Sequence, residues 1–288
     1  MNMFALVMLQ KEFADALGVP VGSYTHIATS WHCYPQDEEM LHTFVKNIAQ
    51  RDCTYQYEGG WKELMEAEQT RLILATGGPA MVKAAYSSGK PAIGVGAGNG
   101  PVYIHHSADV KQALSHILRS KTFDYGTVCA SEQSIIVEAA MEAQVKEAAA
   151  QMGFYFMDTR QAGQLAKLLF KPNGTLNPEI VGRPAAELAE KAGFTVPFGT
   201  KILVAREQDA GAKYPYSHEK LCPVLAWFAV DSEEAAKKLA IKVLCHEGVG
   251  HTFSIHAKDK DVVRQFCREI PVSRFLVNAP AAQGGIGA

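Results

Sequence analysis

A cysteine among small residues is the first group in this sequence that could do chemistry. Cys129 lies in FDYGTVCASEQ, after a helical pattern and before a strand pattern. Attack of a thiolate on a carbonyl carbon needs an open approach and backbone N–H groups that hold the developing oxyanion. The small neighbours of Cys129 meet that requirement, although a buried structural cysteine would produce the same pattern.

Three further sites carry residues suited to binding or to proton transfer. Thr76, Gly77 and Gly78 form a turn between a strand and a helix, where the backbone can approach a phosphate or a nicotinamide ring. Glu219 precedes a strand pattern and His251 follows GVG, so a carboxylate and an imidazole at strand ends could bind a ribose and move a proton. Each of these also fits a plain turn, a solvated charge cluster or a satisfied histidine.

The elements that position these residues alternate between short apolar strands and helical stretches. RLILAT at 71–76 and AIGV at 92–95 predict strands that flank a helix, and Ser107 is the expected N-cap of the next helix. Later strands are expected in SIIVEA, KILVA, PVLAWFAV, HTFSIHA and RFLVNA, with helical patterns between them. The alternation predicts an α/β fold with a largely parallel sheet, whose binding sites are expected at the carboxyl ends of the strands.

Composition narrows the class of protein. With 288 residues, of which 48% are hydrophobic, the chain can bury a large core. Its formal net charge of -2 provides no field that would attract nucleic acid or an anionic membrane. The six cysteines show no CxxC spacing, so neither a metal site nor a disulfide framework is predicted. We see no signal-peptide or membrane-spanning pattern, and the expected location is cytoplasmic.

Six segments, in order, resemble those of the CoA-acylating aldehyde dehydrogenases, including the aldehyde domain of bifunctional aldehyde-alcohol dehydrogenases. They are LILATGGPAMVKAAYSSGKPAIGVGAGNGP, SKTFDYGTVCASEQSIIVE, NGTLNPEIVG, HEKLCPVLA, GVGHTFSIHA and VNAPAAQGGIG, and the resemblance spans about residues 58–288. It implies a partial Rossmann-like nucleotide-binding sheet followed by an aldehyde dehydrogenase-type catalytic α/β domain.

The resemblance also implies roles for individual residues. Cys129 matches the family's thiol nucleophile, and His251 lies in a segment near the place where coenzyme A arrives, so both are expected to be catalytic. Glu219 matches the carboxylate that holds the nicotinamide ribose. The remaining cofactor-binding residues are expected in the turn of Thr76, Gly77 and Gly78.

The implied reaction converts a small aldehyde, NAD and the co-substrate coenzyme A to an acyl-CoA and NADH. It passes through a thioester on Cys129, and we expect backbone N–H groups around the thiol to favour the thiolate. Hydrolytic members of the superfamily have a water-activating glutamate where this chain has Val95. Without that glutamate the thioester would wait for a thiol instead of being hydrolysed.

The resemblance divides the chain into three parts. Residues 1–54 resemble a thymidylate synthase fragment, in which His32 and Tyr34 match an H-x-Y pair. Residues 55–106 are expected to be a remnant of the NAD-binding domain, and residues 107–288 a catalytic domain truncated at its C-terminus. The first half of the nucleotide-binding domain, with an oxyanion-binding asparagine, has no counterpart here. A homo-oligomer or a complementing chain is therefore expected.

Two other functions stay open at this point. The chain could be a catalytically inactive fragment or interaction module of the same fold, in which case Cys129 would be unreactive. It could instead be a pyrimidine-nucleotide-binding protein related to thymidylate synthase through residues 1–54.

Overall fold

A computed structural model of the protein describes residues 65, 66, 68, 70–172 and 174–285. The thymidylate synthase interpretation of residues 1–54, with His32 and Tyr34, falls outside the described residues. The chain divides into two compact units. Among the described residues, the first holds those up to Thr76 together with Ala80–Gly94, and the second holds Gly77–Pro79 together with those from Val95 onward.

A two-stranded sheet and the helix that connects its strands lie mainly in the first unit. β1 (Ile73–Thr76) and β2 (Ala92–Val95) are neighbours in this sheet, and α1 (Pro79–Ser87) connects them. Ile73, Ala75 and Ala85 are buried in one small cluster. The predicted order of strand, turn, helix and strand is confirmed here.

A parallel sheet of seven strands forms the second unit. Its strands are β3 (Gly100–Ile104), β4 (Glu132–Glu138), β5 (Phe154–Phe156), β6 (Ile202–Arg206), β7 (Val224–Val230), β8 (Gly250–His256) and β9 (Val272–Val277). They lie in the order β5-β6-β7-β4-β3-β8-β9, and each neighbouring pair is parallel. The α/β fold with a parallel sheet is therefore confirmed.

Helices cover both faces of this sheet because the strands direct apolar side chains alternately to each face. Val102 and Ile104 pack on the face covered by α2 (Val110–Thr122) and α3 (Glu142–Gln151), whereas Tyr103 packs on the other. That other face is covered by α4 (Thr159–Leu169), α5 (Ala185–Lys191), α6 (Glu233–His246) and α7 (Lys260–Glu269). α8 (Ala281–Gly285) packs against α2. Among the described residues, no helix is both long and apolar enough to span a membrane.

The N-cap of α2 differs from the predicted one. The side chain of Asp109, not that of Ser107, accepts a hydrogen bond from the N–H of Gln112, at 3.1 Å. The hydroxyl oxygen of Ser107 instead accepts the N–H groups of Lys258 and Asp259, at 2.9 and 3.1 Å. Ser107 therefore ties the end of β3 to the start of α7, and the prediction that it caps α2 was wrong.

Candidate active site

The residues predicted to be catalytic, together with Glu219, lie at the end of the sheet where the strands begin. Gly98 precedes β3, Cys129 precedes β4, Glu219 precedes β7, and His251 is the second residue of β8. These four strands are consecutive in the sheet, in the order β7-β4-β3-β8. These residues are carried by the segments that enter the strands, as expected for Cys129 and Glu219, whereas the turn of Thr76, Gly77 and Gly78 lies at the carboxyl end of β1.

The turn that carries Cys129 follows a left-handed segment. Residues 124–126 have φ values of 48°, 48° and 78°. Glycine adopts this region freely, whereas Asp124 and Tyr125 are each strained by about 1–3 kcal/mol. The N–H of Ser131 then donates to the carbonyl of Val128 at 2.8 Å, which closes a turn around Cys129.

Gly98 holds three of the site residues together. A β-carbon at this position would lie 2.1 Å from the carbonyl oxygen of Cys129 and 2.9 Å from Cε1 of His251. The N–H of Gly98 donates to Oε1 of Glu219 at 2.8 Å. Gly98 was not among the predicted site residues, because nothing in the sequence AGNG distinguishes it from the neighbouring glycines; only the close approach of Cys129 does.

Burial sets the ionisation of Glu219. Burial raises the pKa of this carboxyl to about 7. The hydrogen bond from the N–H of Gly98 lowers the pKa, whereas the negative charge of Glu247 raises it further. The positive charges of Lys121 and Lys220 lower the pKa of Glu219. At neutral pH, Glu219 therefore exchanges between carboxylate and carboxylic acid.

Burial also raises the pKa of the half-buried Cys129 thiol above its ordinary value. The charge of Glu219 adds to this rise, whereas Arg274 and the backbone N–H groups of Cys129 and Ala130 oppose it. Those N–H groups act in the expected direction. They favour the thiolate, as expected, but burial and the neighbouring carboxylate outweigh them, so the pKa of Cys129 is raised.

His251 is a buried imidazole. Its Nδ1 lies 2.9 Å from Oγ1 of Thr252, and that oxygen also accepts a hydrogen bond from Arg274 at 3.2 Å. Burial, followed by the charge of Arg274, lowers the pKa of His251. The imidazole is therefore neutral at pH 7 and can accept a proton.

The glycine-rich turn predicted to bind the cofactor lies between β1 and α1. Thr76 ends β1, and the N–H of Gly77 donates to the carbonyl of Val95 at 3.1 Å. A β-carbon at Gly78 would meet no atom within 4 Å. This open turn before a helix is compatible with the predicted role, which stays a prediction.

Two fully buried lysines support the segment that carries Glu219. The ammonium of Lys121 and the backbone N–H of Lys220 donate to the same oxygen, Oε1 of Gln133, each at 3.1 Å. Burial lowers the pKa of Lys121 to about 8 and that of Lys220 to about 7. Neither lysine was among the predicted site residues, although the four-residue spacing from Ile117 places Lys121 on the buried face of α2.

Replacing Glu219 by glutamine should lower the pKa of Cys129, because it removes the negative charge that disfavours the thiolate. Alkylation of Cys129 by iodoacetamide, followed by peptide mass spectrometry, should then be faster in the variant above pH about 7, where Glu219 of the unchanged chain is ionised. Below that pH the two rates should converge. Glu190→Gln, at an exposed position on α5, is the control. Superimposable pH profiles for Glu219→Gln and the unchanged chain would refute the coupling.

The known sequences that this chain resembles are those of aldehyde dehydrogenases. Residues 58–154 match the sequence model of the "Aldehyde dehydrogenase family". The bifunctional aldehyde-alcohol dehydrogenase of Escherichia coli K12 is 47% identical over 228 residues, which are 78% of this chain and 25% of that protein. The succinate-semialdehyde dehydrogenase (acetylating) of Clostridium kluyveri is 39% identical over 225 residues, 78% of this chain and 49% of that protein. The family match begins at residue 58 and gives no support to the thymidylate synthase interpretation.

Solved structures agree with the sequence comparisons. A probable aldehyde dehydrogenase from Listeria monocytogenes has 46% identity and a TM-score of 0.80, over 87% of this chain and 57% of that one. An acetylating aldehyde dehydrogenase from Geobacillus thermoglucosidasius has 43% identity and a TM-score of 0.79, over 88% of this chain and 57% of that one. The chain thus spans between 25% and 57% of the length of the relatives named here.

Proposed function

Because residues 58–154 carry an aldehyde dehydrogenase family domain, we propose that this chain is the thiol-bearing part of a CoA-acylating aldehyde dehydrogenase. The reaction converts an aldehyde, NAD and coenzyme A to an acyl-CoA and NADH. One observation carries the proposal: the turn of Cys129 lies against Gly98, which also contacts Glu219 and His251. The acetylating relatives favour this function over an inactive fragment or a pyrimidine-nucleotide-binding protein.

The first covalent step joins the sulfur of Cys129 to the carbonyl carbon of the aldehyde. The raised pKa of Cys129 means that a proton must leave the thiol as this bond forms. Neutral His251 and the carboxylate form of Glu219 are the groups of this site that can accept it. Loss of a hydride from the same carbon, for which NAD would be the acceptor, leaves a thioester on Cys129.

The second covalent step transfers the acyl group from Cys129 to coenzyme A. The thiol of coenzyme A attacks the thioester carbonyl, the bond to the Cys129 sulfur breaks, and an acyl-CoA forms. Val95 stands where hydrolytic relatives are expected to have a glutamate that activates water. Its side chain offers no base, so transfer to a thiol is favoured over hydrolysis.

The residues present fit the nicotinamide end of NAD, which supplies the hydride acceptor when it is bound. The open space at Gly78 lets a ligand approach the backbone of the turn before α1. Glu219 would bind the ribose hydroxyls through its carboxylate.

The acyl-transfer half of the reaction can be tested without NAD. Incubation with acetyl-CoA should place one acetyl group on Cys129, because the attack of coenzyme A on the thioester is reversible. Intact-mass measurement and peptide mapping will locate the group, and free hydroxylamine should release it as expected of a thioester. Acetylation that is spread evenly over Cys129, Cys245 and Cys267 would contradict the proposal.

A further inference from the structure

Two histidines face each other beside Glu219. His218 directly precedes Glu219, and His246 is the last residue of α6. Their Nε2 atoms are 3.2 Å apart, and the two rings meet at 73° with centroids separated by 4.5 Å. Neither histidine has a part in the reaction proposed above.

This separation is the one that two imidazoles adopt on a single metal ion. Zinc–nitrogen bonds of about 2.0–2.1 Å at a tetrahedral angle place the two nitrogen atoms about 3.3 Å apart. We propose that His218 and His246 bind a divalent transition-metal ion of the Zn²⁺ type through their Nε2 atoms, with water in the remaining positions. Imidazole nitrogen is a preferred ligand of this class of ion.

Glu247 orients His218 for this role. Its Oε2 lies 3.4 Å from Nδ1 of His218, which favours the tautomer with the proton on Nδ1. Nε2 of His218 then carries a lone pair that faces Nε2 of His246 at hydrogen-bond distance, and a bound ion would replace that hydrogen bond. A carboxylate behind a ligating histidine is the usual support of a zinc site. His246 is exposed and the side chain of His218 is 22% exposed, so an ion can enter from solvent.

A second group of potential ligands is already satisfied without an ion. Ligand atoms of His105, His106 and Glu233 lie within 4.8 Å of one another. Two backbone N–H groups occupy the lone pairs of Ser107 Oγ, so its hydroxyl donates to Nδ1 of His105 at 2.8 Å. The ring proton then remains on Nε2, 2.9 Å from Glu233, and blocks coordination there.

A metal ion on His218 would also constrain Glu219. Oε2 of Glu247, which supports His218, accepts the backbone N–H of Glu219 at 2.7 Å. One carboxylate oxygen therefore holds both the metal ligand and the residue beside Cys129. Any effect of the ion on acyl transfer rests on the proposed function, whereas metal binding itself does not.

Calorimetric titration of the full chain with Zn²⁺ alone, at neutral pH, tests the site. Wild-type chain should show a binding event that His246→Gln and His218→Gln each weaken at least roughly tenfold, and that Glu247→Gln weakens by about 10- to 100-fold. All variants keep the six cysteines, so zinc binding by thiols contributes equally. Thermal melts will show that each variant is folded.

His106→Gln is the matched control, because it removes an exposed histidine of the other group. It should leave the zinc affinity unchanged. The proposal is overturned if wild-type chain shows no such event, if His246→Gln binds Zn²⁺ as wild type does, or if His106→Gln loses as much affinity as His246→Gln.

Discussion

Replacing Cys129 by serine is expected to abolish acetylation by acetyl-CoA and the formation of NADH from an aldehyde. A serine hydroxyl attacks a carbonyl only with help from a positioned base, which is typically worth about 10²–10⁴-fold in rate. His251 and Glu219 lie against Gly98, and neither is held in a hydrogen bond to the residue at position 129. The rate should therefore fall by at least that factor.

Cys245→Ser is the control for this experiment. Cys245 is an exposed free thiol near the end of α6, so it can react with an acyl donor without any catalytic help. Its removal should lower only slow background acetylation. If Cys129→Ser is acetylated as fast as the unchanged chain, the nucleophile lies elsewhere and the proposed function is wrong.

Replacing Gly98 by alanine is expected to reduce acetylation of Cys129 on the order of 100-fold, the cost of misplacing a reacting group by about 1 Å. The new β-carbon would lie 2.1 Å from the carbonyl oxygen of Cys129, so the turn or the strand must move. That movement would also disturb the hydrogen bond from Gly98 to Glu219. The rate of acetyl transfer, measured by mass spectrometry, checks this expectation.

Gly96→Ala is the matched control for Gly98→Ala. It adds the same methyl group two residues earlier, where a β-carbon meets no atom within 4 Å. Urea unfolding of both variants will separate a loss of stability from a loss of reactivity. Equal acetylation rates for the two alanine variants would show that the close packing at Gly98 does not position Cys129.

Strong periodicity made most of the fold predictable. The apolar strands separated by helical patterns gave the parallel α/β sheet, and AIGV at 92–95 is β2. β5 was missed because its three residues are too few to show a pattern. The cap of α2 was misassigned because serine and aspartate are both good N-caps, and only the tertiary contact of Ser107 with α7 decides between them.

The site was predictable only in part, because its properties arise from segments that are distant in the sequence. Cys129, Glu219 and His251 were singled out by residue type and resemblance, and they all lie at one end of the sheet. Position 98 requires glycine because the turn of Cys129 packs directly against it. The residues around position 98 do not encode this contact, because Cys129 is distant in the sequence. The direction of the Cys129 pKa shift likewise depends on burial and on Glu219.

The position of β3 between β4 and β8 has a consequence for the order of events during synthesis. Val102 pairs with Ile135 on one side and with Ser254 on the other. The pairing with Ser254 joins two residues that are separated in the chain by most of the second unit. Contacts between such distant residues form late and slow the folding of the chain. A nascent chain would thus expose the Cys129 thiol to solvent, without His251 beside it, until β8 has been translated. Catalytic competence would therefore depend on a pairing that forms late in the folding of the chain.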